Sequence, residues 1–135
     1  MPADANLTLQ ASVTKTATFN GAWVPIPGLA GHAGLYAHVF FSAATNASGS
    51  NSVTYSLDVS PDGGTTVYAA EFSAADQAVA LSTTAQAGEI VIPFELRTKG
   101  VRDGSNPSVR LTCTIAGAGS TPTVTYSGDV RPAIN

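Results

Sequence analysis

Charge is scarce in this chain. Asp, Glu, Lys and Arg make up 11% of its 135 residues, well under the roughly 25% usual in soluble domains. Ser, Thr, Asn, Gly and Ala must cover much of the surface, so part of it is expected to be hidden against neighbours. The formal net charge is −3, without the basic stripe of a nucleic-acid binder. Aromatic residues do not interleave with Lys or Arg as in a single-strand platform, and no nucleic-acid partner is expected.

Cysteine is almost missing. Cys113 stands alone, which excludes an internal disulfide and a cysteine-rich zinc site. It lies between Leu111 and Ile115 on one face of an alternating run, the setting of a small buried apolar residue. Long apolar runs are also lacking. Nothing approaches the about 20 residues that span a bilayer, and Met1-Pro2-Ala3-Asp4 has neither the basic segment nor the apolar stretch of a secretion signal. The expectation is synthesis in a cytoplasm and no membrane partner, which leaves the sequons at Asn6 and Asn46 as chance occurrences.

Signatures of catalysis are missing as well. There is no Gly-x-Ser-x-Gly elbow, and Gly117-Ala118-Gly119 lacks the lysine and helix of a phosphate loop. His32 lies in a Gly-rich turn. His38 sits mid-strand between Tyr36 and Phe40, which are poor companions for a metal ion, so a structural or interface histidine is the better reading. The nine acids are scattered, without the paired carboxylates of a glycosidase. We expect no enzyme, no catalytic residue, no cofactor and no metal.

What is present is alternation, the mark of half-buried strands. Leu7, Leu9, Ala11 and Val13 share one face. Phe19 and Trp23 follow in a short segment closed by Pro25, Pro27 and Gly28. Leu35–Ser42 is apolar on both faces, as for a central strand or one covered by a neighbour. Val53, Tyr55, Leu57 and Val59 form another strand, and Val67–Phe72 returns after a turn. Ala78–Leu81 reads as a short strand and Ser73–Ala80 as room for one helical turn. Ile90, Ile92, Phe94 and Leu96 align, with Pro93 marking an edge or bulge. Arg97–Ser108 reads as a polar loop. Val109, Leu111, Cys113 and Ile115 precede a hairpin at Ala116–Pro122, and Val124, Tyr126 and Val130 close the chain. No apolar stripe has helical spacing over ten residues. The fold expected is a single all-β domain over 1–135, a two-sheet antiparallel β-sandwich, with short tails at 1–5 and 131–135. Eight strands fit a jelly roll, and seven an immunoglobulin-like sandwich.

Ser60–Val67 (SPDGGTTV) resembles the Asp-box, Ser-x-Asp-x-Gly-x-Thr-Trp, with Val67 in place of the Trp. Its physics is local: Asp62 can bond the turn amides, while Gly63 and Gly64 permit positive φ. These three residues are read as a structural turn. For protein contact the candidates are Trp23, before a Pro-rich turn, and Arg97, Lys99, Arg102 and Arg110, four of the six basic residues in one stretch. Trp23 is either core or anchor. The basic stretch is either a solvated loop or a contact for an acidic protein surface.

The whole-chain layout resembles the capsid cement, or decoration, proteins of tailed bacteriophages. Three features carry this: the polar alternating Asn6–Thr18 leading into Gly21–Gly28, the middle pair joined by SPDGGTT, and SVRLTCTIAGAGSTPTVTYSG at Ser108–Gly128. The resemblance implies a jelly-roll subunit on the outer capsid surface of a virion, commonly a homotrimer, bridging major capsid proteins. Two other readings stay open: a carbohydrate- or receptor-binding module, using Trp23, Tyr36, Tyr55, Tyr68 or Tyr126, and a head-completion or tail component.

Overall fold

The computed structural model describes residues 7–26, 34–45, 51–73, 79–80, 86–96, 98–117 and 122–132. Ten strand segments occur among them: β1 Leu7–Lys15, β2 Phe19–Asn20, β3 Val24–Pro25, β4 Leu35–Thr45, β5 Ser52–Ser60, β6 Tyr68–Ser73, β7 Val79–Ala80, β8 Gln86–Phe94, β9 Ser108–Ala116 and β10 Pro122–Pro132. The described residues contain no α-helix, and 3-10 turns at Thr98–Asp103 join β8 to β9.

Two antiparallel sheets face each other. One has the order β1-β10-β4-β8; the other is β2-β9-β5-β6, with β3 also on β9 and β7 also on β5. Since β2 and β3 border the same strand, and β6 and β7 another, each pair holds one strand's place in the sheet. Among the described residues this gives eight strands, ordered 1-8-3-6 and 2-7-4-5, the order of a jelly roll. The seven-strand alternative is thereby set aside.

Alternation explains the core. Leu35, Ala37, Val39, Ile92, Phe94, Val124, Tyr126 and Val130 of one sheet meet Val53, Tyr55, Leu57, Val59, Val109, Leu111 and Cys113 of the other, all buried. Each large side chain taken out of water in this way contributes about 1.5–3 kcal/mol. Leu96 and Val101, between β8 and β9, are buried against the same core.

The strand edges are irregular. β1 shifts register between Thr8 and Gln10 and again between Gln10 and Val13, which leaves Ala11 exposed and off the core face expected for it. β8 borders its sheet with Pro93 near its end, as the proline suggested. In the second sheet, the strand made of β2 and β3 is interrupted at Gly21–Trp23, and β6 shifts register against β5 between Leu57 and Val59. The last strand corrects another expectation: β10 continues through Arg131 to Pro132, so the C-terminal tail does not start at 131. Register explains this, because Arg131 and Pro132 still pair with Tyr36 and Leu35. The N-terminal tail, Pro27-Gly28, His32, both sequon asparagines, Arg97 and most of the Ser73–Ala80 segment lie outside the described residues.

Candidate functional site

The two sheets treat their outward-facing side chains differently. On β5, Asp58 faces away from the core opposite Arg110 of β9, yet its side chain is only 5% exposed. Its Oδ2 accepts from Arg110 Nε at 2.7 Å and from Thr112 Oγ1 at 3.1 Å, and its Oδ1 accepts from the Ala70 amide at 2.7 Å. The Ala70 contact falls where β5 and β6 slip register between Leu57 and Val59. Ala70 adopts φ 51° there, a left-handed conformation that disfavours side chains. With both carboxylate oxygens engaged, Asp58 serves as a structural junction.

Trp23 covers this junction, with Arg110 Cζ 4.6 Å from the centre of its ring. The Ser60–Thr66 turn abuts the same indole. Gly64 has φ +108°, and a Cβ there would come within 2.5 Å of Trp23 Nε1; Gly63 has φ +73° and lies against Asn106. The turn is held as the Asp-box pattern suggests. Ser60 Oγ donates to Asp62 Oδ1 at 2.9 Å and accepts from the Gly64 amide at 2.8 Å. The Thr66 amide and hydroxyl donate to Asp62 at 2.6 and 2.8 Å. These two Thr66 bonds, the amide first, hold the Asp62 carboxyl below its ordinary range. The sequence singled out Trp23, Arg110 and the turn separately, and folding joins them into one cluster.

The remaining described basic candidates are dispersed and paired. Lys99 bonds Glu71 at 2.9 Å and lies 4.9 Å from the Tyr68 ring centre. Arg102 neighbours Asp103 at 3.6 Å. Each has an acid of its own chain as partner, so these residues do not gather into one basic patch.

The other sheet leaves its outer face open. On β4, Tyr36, His38 and Phe40 point outward, flanked by Pro93, Val91 and Glu89 of β8 and by Arg131, Asp129 and Ser127 of β10. Tyr36 is 36% exposed, Phe40 41% and Val91 38%. The charges among them are matched locally: His38 Nδ1 lies 2.7 Å from Glu89 Oε2, and Arg131 grips Asp129 through two 3.1 Å contacts. Arg131 Cζ also lies 5.9 Å from the Phe40 ring centre. At Tyr36 the face turns into a groove of about 290 Å³ lined by Leu35, Phe72, Pro93, Phe94 and Glu95.

Sequence reasoning left β4 as either a central strand or one covered by a neighbour. It lies inside its sheet, between β10 and β8, and among the described residues its outer face is left partly exposed at Tyr36 and Phe40. Asp58 went unnoticed because its partners come from two distant segments, β6 and β9. Arg131 went unnoticed because a tail was expected to start there, and its partner Asp129 with it. Among the described residues no three His, Cys, Asp or Glu side chains converge as for a metal ion. No family model matches this chain, and a search of curated proteins finds no match to it.

Proposed function

We propose that this chain is a structural virion protein, a capsid cement protein that docks the outer face of its β1-β10-β4-β8 sheet on major capsid protein. The observation that carries the reading is the open aromatic face around Tyr36, His38 and Phe40, in which the neighbouring charges already have partners. Large apolar side chains exposed together on a sheet mark a contact surface, and aromatic residues with Arg are the usual anchors of protein interfaces. Because Glu89 and Asp129 are matched within the face, covering it leaves no lone carboxylate without a partner. The jelly-roll strand order and the layout resemblance support the same reading.

The action is linkage. A protein that binds only the assembled shell stabilises that shell by mass action, and a trimer bound at symmetric positions adds avidity. The test compares heat disruption of expanded capsids alone, with this protein, and with its Y36S/F40S variant. The protein is expected to raise the disruption temperature, and the variant to lose most of the effect while remaining folded. Equal disruption temperatures for bare and coated capsids would sink the proposal. Exposed Tyr36 and Phe40 on one sheet face also suit a sugar ring, so retardation by polysaccharide in a native gel, abolished by the same variant, would move the reading to a carbohydrate-binding module. Rings instead of trimers in solution would favour a head-completion or tail role.

A further inference from the structure

Every described acid but one has a partner. Asp58 pairs with Arg110, Glu71 with Lys99, Glu89 with His38, Asp103 with Arg102 and Asp129 with Arg131, while Asp62 is taken up by the turn. Glu95 is the exception: among the described residues its carboxylate has neither an ion pair nor a hydrogen bond. The described cations are engaged elsewhere, Lys99 and three arginines in these pairs and Lys15 over the Phe19 ring at 3.7 Å.

Glu95 follows β8 and keeps its alternation. Phe94 and Leu96 are buried on either side of it, so its half-buried side chain continues the outward row of Glu89, Val91 and Pro93. It borders the groove of about 290 Å³ beside Tyr36, whose other walls include Leu35, Phe72, Pro93 and Phe94. The Phe72 and Phe94 rings lie 5.9 Å apart at 56°. An unpaired carboxylate at the border of an aromatic groove matches one kind of group, a cation on an apolar stem. Lysine and arginine lay such stems along apolar surface, and arginine also stacks on rings and forks onto a carboxylate. The groove falls just short of the about 300 Å³ at which small-molecule sites begin, a size for one side chain.

We infer that this groove receives one basic side chain, arginine by preference, from the protein that covers the β1-β10-β4-β8 face; the identity of that protein as capsid protein rests on the function proposed above. Tyr36 belongs to both the face and the groove, so covering the face also draws water away from Glu95. An enclosed carboxylate without a countercharge is costly, and the described chain has no cation free to supply one. The partner must bring it.

The test measures binding of wild type, E95Q, E95D and E95K to expanded capsids at low and at elevated salt, with thermal melts of each variant. E95Q is expected to melt like wild type and to bind about tenfold more weakly, the loss of one charged hydrogen-bonded contact. E95D should bind closer to wild type, E95K more weakly than E95Q, and salt should weaken wild type more than E95Q. Equal binding of E95Q and wild type at both salts, with Y36S/F40S still defective, would overturn this inference and leave the docking face standing. Capsids that bind no wild-type protein would overturn both. Self-association of the free protein that E95Q abolishes would give the groove to a second copy and overturn the capsid assignment. Should E95Q fail to fold, the wild type decides: affinity that does not fall with salt would sink the inference.

Discussion

Asp58 and Arg110 point outward from the β5–β9 sheet and are nonetheless shielded, because Trp23 and the Ser60–Thr66 turn fold over them. Tyr36 and Phe40 point outward from the β4–β8 sheet and remain in solvent. The assignment runs against hydrophobicity: an ion pair is covered, and aromatic rings are left bare. Polar residues are shielded where they fasten the turn, β6 and β9 together, and apolar residues are exposed where nothing within the described chain needs them. Outward-facing side chains on one sheet therefore act on folding, and those on the other are free to act on a partner.

The largest effect expected from breaking this contrast is at Asp58. D58A leaves Arg110 shielded without its countercharge and the Ala70 amide without its acceptor, so a loss of about 3–5 kcal/mol is expected, measured by urea unfolding. A loss similar to that at an exposed surface site would mean that the covered face is no junction.

Next is Gly64. G64A combines an unfavourable φ with a collision against the indole and should cost about 1–3 kcal/mol. A70G is the control, because it relaxes a strained residue in the same region; it should be neutral or stabilising by up to about 1 kcal/mol. If both glycine changes behaved alike, backbone strain would not be the cause.

Acid titration of the turn gives a smaller effect. The Asp62 carboxyl is held below its unfolded value of 3.8 by Thr66. The fold thus favours the ionised form, and the stability this contributes is present above that value and lost as pH falls below it. D62N should be less stable than wild type near neutrality, with the gap closing between about pH 5 and about pH 2. A gap that does not change with pH would assign the turn's stability to groups other than this carboxylate.

The smallest effect on folding belongs to the open face. The Y36A/F40A variant should lose less than about 1 kcal/mol while the proposed binding to capsids weakens by about 30-fold or more, as for a hot spot. A folding loss as large as that of D58A would make this face part of the packing and remove the contrast.

Much of the fold was legible in the sequence because a period of two is a strong local signal. Ile92, Phe94 and Leu96, or Val109, Leu111 and Cys113, could be assigned to the core directly. The Asp-box resemblance likewise named the residues that hold the turn. Long-range partners were not legible. Asp58 meets Thr112 and Ala70 only after β9 and β6 are laid beside β5, and spacing along the chain carries no trace of it. Ala11 follows the alternating pattern and still leaves the core, because β1 shifts register against β10. The candidate face was half visible: a strand apolar on both sides signalled a missing cover, but the companions of Tyr36 and Phe40 come from β8 and β10.

The edge irregularities have a consequence for crowding. A long, regular outer strand offers unpaired amides and carbonyls to any neighbour and invites sheets to merge. Here Pro93, the two slips in β1, the break between β2 and β3 and the register shift of β6 spoil that template along the described edges. Copies brought to high local density would meet chiefly through side chains, which disfavours growth into fibres.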